Sequence, residues 1–470
     1  MSFDNEASYL IDSIYIENLW GKYNISTKLD KDVNIFIGIN GSYKTTLIKL
    51  IYNLLTLDFA KLIDIDFDSI KLKLRNGRST KTILFSKILT ESGYKKYVFE
   101  IKGIKKISLS ERDIRISGRF IYDNYEEDFD AGFRINNSQS STLKSKYIPI
   151  KAALSKLINI DYLNINRYSI NKSRAYFDDN EKYSIEYEIK KLVNNFIRYQ
   201  SEVKTAINNC SNNFLKKAFI VLLKEDVSKI FNGKLTISSK DLEDYKKLLT
   251  KMSKDEAYIA METITLKNRL DEIYVIIDKV MKNLLPIQAQ KRVKKSISIE
   301  DIMRSLEQDE FLTLINNFPF LAKIQALLEL YKVTEKEKQE YERPTKLFIE
   351  ISNAFLKSTL FPQKKLIITE DGSLMLQIDE SHIVDLRSLS SGEKQLLILL
   401  LRTLLQKNKK GVYITDEPEL SLHINWQEKL IDALKKINSN IQLILATHSP
   451  DIVSKFNNNI IQMEDILSNG

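Results

Sequence analysis

VNIFIGINGSYKTTLIKLI, residues 33–51, reads as three pieces in a row. A run of β-branched and aromatic residues leads to Gly38. A short polar loop follows, and from Thr45 onward apolar residues recur at helical spacing. The eight residues Gly38-Ile39-Asn40-Gly41-Ser42-Tyr43-Lys44-Thr45 follow the phosphate-binding pattern G-x-x-x-x-G-K-[ST] at every fixed position but one. Such a loop needs inward-pointing backbone N–H groups that hold phosphates at a helix N-terminus. Gly38, Asn40, Gly41, Ser42, Lys44, Thr45 and Thr46 are therefore the candidate nucleotide-binding set. Lys44 would reach the β- and γ-phosphates, and Thr45 would ligate Mg²⁺. The bland alternative is an ordinary strand-to-helix turn. The exception is Tyr43, which stands where the pattern has glycine. A ring there is expected to crowd the phosphates and to weaken nucleotide binding without abolishing it.

Around this block, residues 13–20, 23–29, 63–74, 95–103 and 113–123 read as strands and hairpins. After about residue 165 the texture changes. Between Gly132 and Gly372 the one glycine is Gly233, and apolar residues recur at three and four, as in amphipathic helices. Pro286, Pro319 and Pro344 are expected to separate helices there. No heptad repeat is sustained, so a long coiled-coil arm is not expected. Strand texture returns at residues 364–379, a hairpin turning at Asp371-Gly372. A helix follows at 390–405, then a buried strand at 411–417, a helix at 422–437 and a buried strand at 441–448. Alternating buried strands and helices imply a parallel sheet covered on both faces. The expected organisation is 1–165 as the first half of an α/β core, 166–344 as a helical insertion, and 345–470 as the second half of the core.

The C-terminal block carries three more candidates. Asp416-Glu417 end an apolar strand at the edge where α/β sheets bind ligands. Asp416 would hold Mg²⁺ through water, and Glu417 would orient or deprotonate the attacking water. Thr447-His448-Ser449-Pro450 end the next buried strand, so His448 falls where a γ-phosphate sensor would sit. Ser390-Ser391-Gly392 open a helix with Glu393 in its first turn, and that end would present hydroxyl and N–H donors to an anion. Read alone, these are a polar strand end, a structural histidine and a serine cap.

Taken in order, phosphate loop, LSSGEKQ, DEPELSLH and ATHSPDIV, the set resembles the ABC-type ATPases, in the SMC/OLD branch. The resemblance lies in two blocks at the ends of the chain. It implies an ABC-type P-loop ATPase core: a mixed sheet with flanking helices, an antiparallel β region and a large helical insertion. It also implies ATP and Mg²⁺, with Ser390, Ser391 and Gly392 contacting a γ-phosphate held by another subunit, and residues 420–423 as the loop at that interface. Lys44, Glu417 and His448 would carry the chemistry. A homo-oligomer, a dimer or a multiple of one, follows.

Composition narrows the class. The chain has 470 residues, 43% apolar, enough for a sizeable core. Cys210, its one cysteine, excludes an internal disulfide framework and suits a reducing cytosol. No signal-like or membrane-length apolar run is seen, so a cytoplasmic protein without a membrane partner is expected. The net charge of +9 is open to two readings, contact with nucleic acid or a lysine-rich soluble surface. Lys291, Arg292, Lys294 and Lys295 are a candidate phosphate-backbone contact. Asp64, Asp66 and Asp68 alternate as if on one strand face and are a weaker metal candidate.

Within the resemblance, the compact ABC ATPases of the Septu and PARIS antiphage systems fit the length and the EPELSLH element. This predicts a sensor acting on an effector nuclease or toxin in trans, because the sequence stops soon after His448, short of a TOPRIM domain. The second reading is an SMC-like DNA-repair or DNA-handling ATPase. A transporter subunit fits neither DEPELSLH nor the insertion.

Overall fold

The computed structural model describes residues 8–91, 93–115, 141–163, 185–223, 247, 275, 307–357, 364–378 and 382–469. They divide into two compact units, residues 1–199 with 344–470, and residues 200–343.

The first unit is built on three sheets. β3 (Val33–Ile37), β8 (Ile160–Leu163), β12 (Gly411–Asp416), β13 (Ile441–Ala446) and β14 (Ile460–Gln462) form a parallel sheet in the order β14-β3-β13-β12-β8. β12 and β13 are buried along their whole length, as strands covered on both faces must be. β1 (Leu10–Leu19), β2 (Tyr23–Lys28), β4 (Ser69–Asn76), β5 (Ser79–Leu89), β6 (Lys95–Ile101), β7 (Lys105–Ser110) and β15 (Leu467–Asn469) form an antiparallel sheet in the order β15-β2-β1-β4-β5-β6-β7. β4 shows the alternation of a sheet with one face on the core: Ile70, Leu72 and Leu74 point in, and Lys71, Lys73 and Arg75 stay outside the core. A three-stranded antiparallel sheet of β9 (Lys364–Ile368), β10 (Leu374–Ile378) and β11 (His382–Val384) contains the expected hairpin at Asp371-Gly372.

α1 (Lys44–Leu55) follows β3 and packs on β12 and β13, burying Leu47, Ile48, Leu50, Ile51 and Leu54. Together with α2 (Phe59–Ile63) it joins the inner face of the antiparallel sheet in one core, in which Phe59 lies 5.3 Å from Phe85 and 5.4 Å from Phe99. α3 (Ser141–Leu157) adds Tyr147, Ile150 and Leu154. α6 (Ser391–Leu405) buries an unbroken run from Leu396 to Leu401, and α7 (Ile424–Ile437) connects β12 to β13. The α/β class, the parallel sheet with flanking helices and the antiparallel β region are as expected from the sequence.

α4 (Ile185–Leu223) and α5 (Gln308–Leu356) run 39 and 49 residues. Pro319 and Pro344 lie inside α5, not between helices as expected. A proline in a helix interior costs about 3 kcal/mol. Around Pro344 that cost is offset by burial of Tyr331 on one side and Phe348 on the other. In the second unit Phe214 and Tyr331 meet edge to face at 6.2 Å; in the first, Phe196 lies 6.1 Å from Phe348.

Two strand readings also fail. Residues 111–115 are helical, not extended; the remainder of that stretch lies outside the described residues, as do Pro286 and the basic cluster at 291–295. Asp64, Asp66 and Asp68 sit in the turn between α2 and β4. They flank the Lys87 ammonium, which lies 4.1 Å from the Phe67 ring centroid. Burial lowers the Lys87 pKa to about 8 against the opposing pull of these aspartates. The acidic triplet faces a lysine, and no metal-holding group of three or more acidic, His or Cys side chains exists among the described residues. No helix among them is long and apolar enough to cross a membrane.

Candidate functional site

Because β3, β13 and β12 are parallel neighbours, the loops after them emerge at one edge of the sheet. Those loops carry residues 38–45, 447–449 and 416–423. Thr45 Oγ1 donates to Asp416 Oδ1 at 3.2 Å, so the phosphate-loop helix and the acidic strand end are in direct contact. Lys44 Nζ donates to the carbonyls of Gly38 at 2.8 Å and Ile39 at 3.1 Å, and to Ser42 Oγ at 3.3 Å. Burial lowers its pKa, opposed by Glu464, Glu417 and Asp416. Asn40 and Gly41 are exposed at the loop tip, and Thr46 is half-buried. Gly38 has no room for a side chain: a Cβ would come within 2.7 Å of Ser42 Oγ and 3.0 Å of the Glu464 carboxylate.

Tyr43 takes φ 67 and ψ 16, the left-handed conformation a glycine would adopt there. The ring turns away to lie 5.7 Å from Tyr23 and packs against the core cluster. The crowding expected from the sequence therefore becomes a backbone cost of about 1–2 kcal/mol. The aromatic contact returns about 0.5–1.5 kcal/mol. Both terms belong to the folded chain with or without nucleotide and cancel in binding. Because the loop backbone already has the glycine-like conformation and the ring packs on Tyr23, Tyr43→Gly is expected to change ATP affinity by less than about threefold, under about 0.7 kcal/mol. Calorimetry with ATP and Mg²⁺ on both proteins checks this, and a tenfold gain would show that the ring does crowd the phosphates.

Burial raises the Asp416 pKa, with Glu417 and Glu419 adding to the rise and the Thr45 hydroxyl and Lys49 opposing it. Glu417 is half-buried with φ 49, its N–H donating to the Ala446 carbonyl at 2.8 Å. No hydrogen bond claims its carboxylate among the described residues. An excess of carboxylates beside a hydroxyl suits a hard divalent cation. With so few protein oxygens the site matches the Mg²⁺ habit of taking one or two protein ligands and completing its shell from phosphate and water.

The chain places His448 at the same edge, exposed, its backbone N–H donating to Glu419 Oε1 at 2.9 Å. Thr447 Oγ1 donates to the same oxygen at 2.6 Å. The sequence reading gave Glu419 no role, although it stands inside the EPELSLH stretch. Glu464 was also missed. Its carboxylate accepts the Ile39 N–H at 3.2 Å, and its own backbone N–H first, with the Ile39 N–H second, holds its pKa down. Its position after β14 gives no local signal.

Ser390 caps α6 in a complete capping box. Ser390 N donates to Glu393 Oε2 at 2.7 Å, and Glu393 N to Ser390 Oγ at 3.4 Å. Lys364 holds Glu393 from β9 at 3.0 Å. Ser390 and Ser391 are exposed, whereas Gly392 is buried. A Cβ at Gly392 would stand 2.2 Å from the Ser421 carbonyl oxygen, and Ser421 itself has φ 66. The helix start and the loop at 420–423 are thus in backbone contact. His423 caps α7 through Nδ1, which accepts from Asn425 N at 3.3 Å.

Residues 288–454 match a family described as "AAA domain, putative AbiEii toxin, Type IV TA system". Over 91 residues the chain is 36% identical to the "Retron Ec83 probable ATPase" of Escherichia coli, 17% of this chain and 17% of that protein. It is 33% identical over 91 residues to the "Retron Vc95 probable ATPase" of Vibrio cholerae serotype O1 biovar El Tor, covering 17% and 18%. The chain thus spans under a fifth of the length of these curated relatives. An Smc head domain from Pyrococcus furiosus, solved with an extended coiled coil and the C-terminal domain of ScpA, aligns with a TM-score of 0.39 at 14% identity, covering 98% of this chain and 96% of that one. The matched family segment lies in the C-terminal part of the chain, residues 288–454.

Proposed function

We propose that the chain binds ATP with Mg²⁺ and hydrolyses it at sites completed by a second copy of itself. In this reading it is the sensor or regulatory subunit of a bacterial antiphage defence system and controls a separate effector nuclease or toxin. The convergence of Lys44, Thr45, Asp416, Glu417 and His448 at one edge of the parallel sheet carries the enzymatic part. Lys44 would exchange its loop carbonyls for phosphate oxygens. Thr45 and Asp416 would hold Mg²⁺, which neutralises charge on the phosphates. Glu417 would orient or deprotonate water, and His448 would contact the γ-phosphate. The similarity to retron-associated ATPases supports the defence part.

The 39- and 49-residue helices favour a second reading, an SMC-like DNA-handling ATPase. Cells carrying the chain and its neighbouring gene are expected to survive phage challenge, and Lys44→Ala to lose that protection. Turnover stimulated by DNA, with no protection, would favour the second reading.

A further inference from the structure

Glu419 joins two loops of the site, its own and the turn after β13, through one buried carboxylate. Oε1 accepts from Thr447 Oγ1 at 2.6 Å and from the backbone N–H of His448 at 2.9 Å. Both distances lie within the ordinary hydrogen-bond range. Oε2 is buried with no hydrogen-bond partner among the described residues. The same Thr447 hydroxyl accepts from Ser449 N at 2.9 Å, so the whole 447–449 turn depends on this contact. A second strand of bonds runs beside it. Ser449 Oγ meets Gln427 Oε1 at 2.6 Å, and Gln427 Nε2 donates to the Leu422 carbonyl at 2.8 Å. Leu422 N closes back on the Glu419 carbonyl at 2.9 Å, and Ser421, one residue earlier, touches Gly392.

His448 is exposed, and no hydrogen bond holds its imidazole among the described residues. Its direction is therefore set by its backbone, and the carboxylate of Glu419 grips that backbone. We propose that Glu419 is a positioning residue: it ties the His448 turn to the 419–422 loop, so that His448 and the Gly392 helix start keep a fixed separation. The kinetic consequence rests on the hydrolytic reading above; the anchoring itself does not.

The test compares Glu419→Ala and Glu419→Gln with the native chain in three measurements: ATP affinity, ATP turnover, and backbone hydrogen exchange across residues 446–450. Glutamine keeps an oxygen for Thr447 and His448, and its NH₂ group replaces the oxygen that has no partner. Glu419→Ala is expected to leave ATP affinity within about threefold, to lower kcat by about tenfold or more, and to speed exchange at 447–449. Glu419→Gln is expected to restore both. If the alanine variant melts too readily for assay, Thr447→Val removes one of the two bonds and leaves the His448 N–H on Glu419, and it must show the same split at smaller amplitude. Native exchange rates in Glu419→Ala would overturn the anchoring. A glutamine variant as defective as alanine would also overturn it, because charge and not geometry would then be at work. Faster exchange in Glu419→Ala than in the native chain, when the native chain itself never turns over ATP, would support the anchor and defeat the hydrolytic reading, so the two failures are distinguishable.

Discussion

Glu417→Gln is expected to lower ATP turnover by about two to four orders of magnitude while ATP still binds. Glu417 follows the last residue of β12 and turns into the left-handed region, φ 49, its N–H fixed on the Ala446 carbonyl. That turn separates it from Asp416, whose carboxylate is held by Thr45. The two adjacent acids are thereby given different work. Asp416 faces the helix of the phosphate loop, and Glu417 is left with a carboxylate that no hydrogen bond occupies among the described residues. Glutamine preserves size and one oxygen acceptor but cannot take a proton from water. Binding depends on Lys44, Thr45 and the loop N–H groups, which this substitution does not touch. Steady-state phosphate release gives the turnover, and size-exclusion chromatography with ATP shows whether the bound state accumulates as a larger assembly. Turnover unchanged from the native chain would remove Glu417 from the role assigned to it.

Mixing Lys44→Ala chains with Ser391→Arg chains is expected to recover activity that neither has alone. Ser390 and Ser391 are exposed at the start of α6, and Ser390 already serves as cap of its own helix. An anion at that end would arrive from outside the chain. In a mixed dimer one site then joins the sound loop of the Ser391→Arg chain to the sound helix start of the Lys44→Ala chain. Half of randomly formed dimers are mixed and hold one good site of two, so about a quarter of native turnover should return. Each variant alone should fall to background. A mixture as inactive as its parts, from proteins that do assemble, would show that each site is complete within one chain.

Much of the core was legible because its signals are local. The strand, loop and helix of residues 33–55, the hairpin at Asp371-Gly372, the helix opening at Ser390 and the two buried strands at 411–416 and 441–446 all stand where the pattern puts them. The failures have physical causes. Pro344 suggests a helix boundary, but tertiary burial of residues such as Phe348 outweighs the local penalty. The aspartates at 64, 66 and 68 alternate as a strand would, yet α2 claims the residues before them and Lys87 collects their charge. Thr45 and Asp416 are 371 residues apart in sequence, and only the strand order β3-β13-β12 brings them together. Nothing near Glu464 announces that it will reach the Ile39 amide. Glu419 was in view throughout, but its worth lies in what Thr447 and His448 do from the neighbouring strand end.

The contact between Gly392 and the Ser421 carbonyl leaves less space than one methyl group needs. A mechanism with that fit has no backlash. If the loop at 420–423 shifts by a fraction of an ångström, the start of α6 must shift with it, because there is no slack to absorb the motion. The reverse holds equally. A partner pressing on the exposed serines would be felt at Ser421, and through Leu422 and Gln427 at the turn that carries His448. Contact at the start of α6 would thus reach the His448 turn, along the same edge of the sheet, as a displacement and not as a change in flexibility.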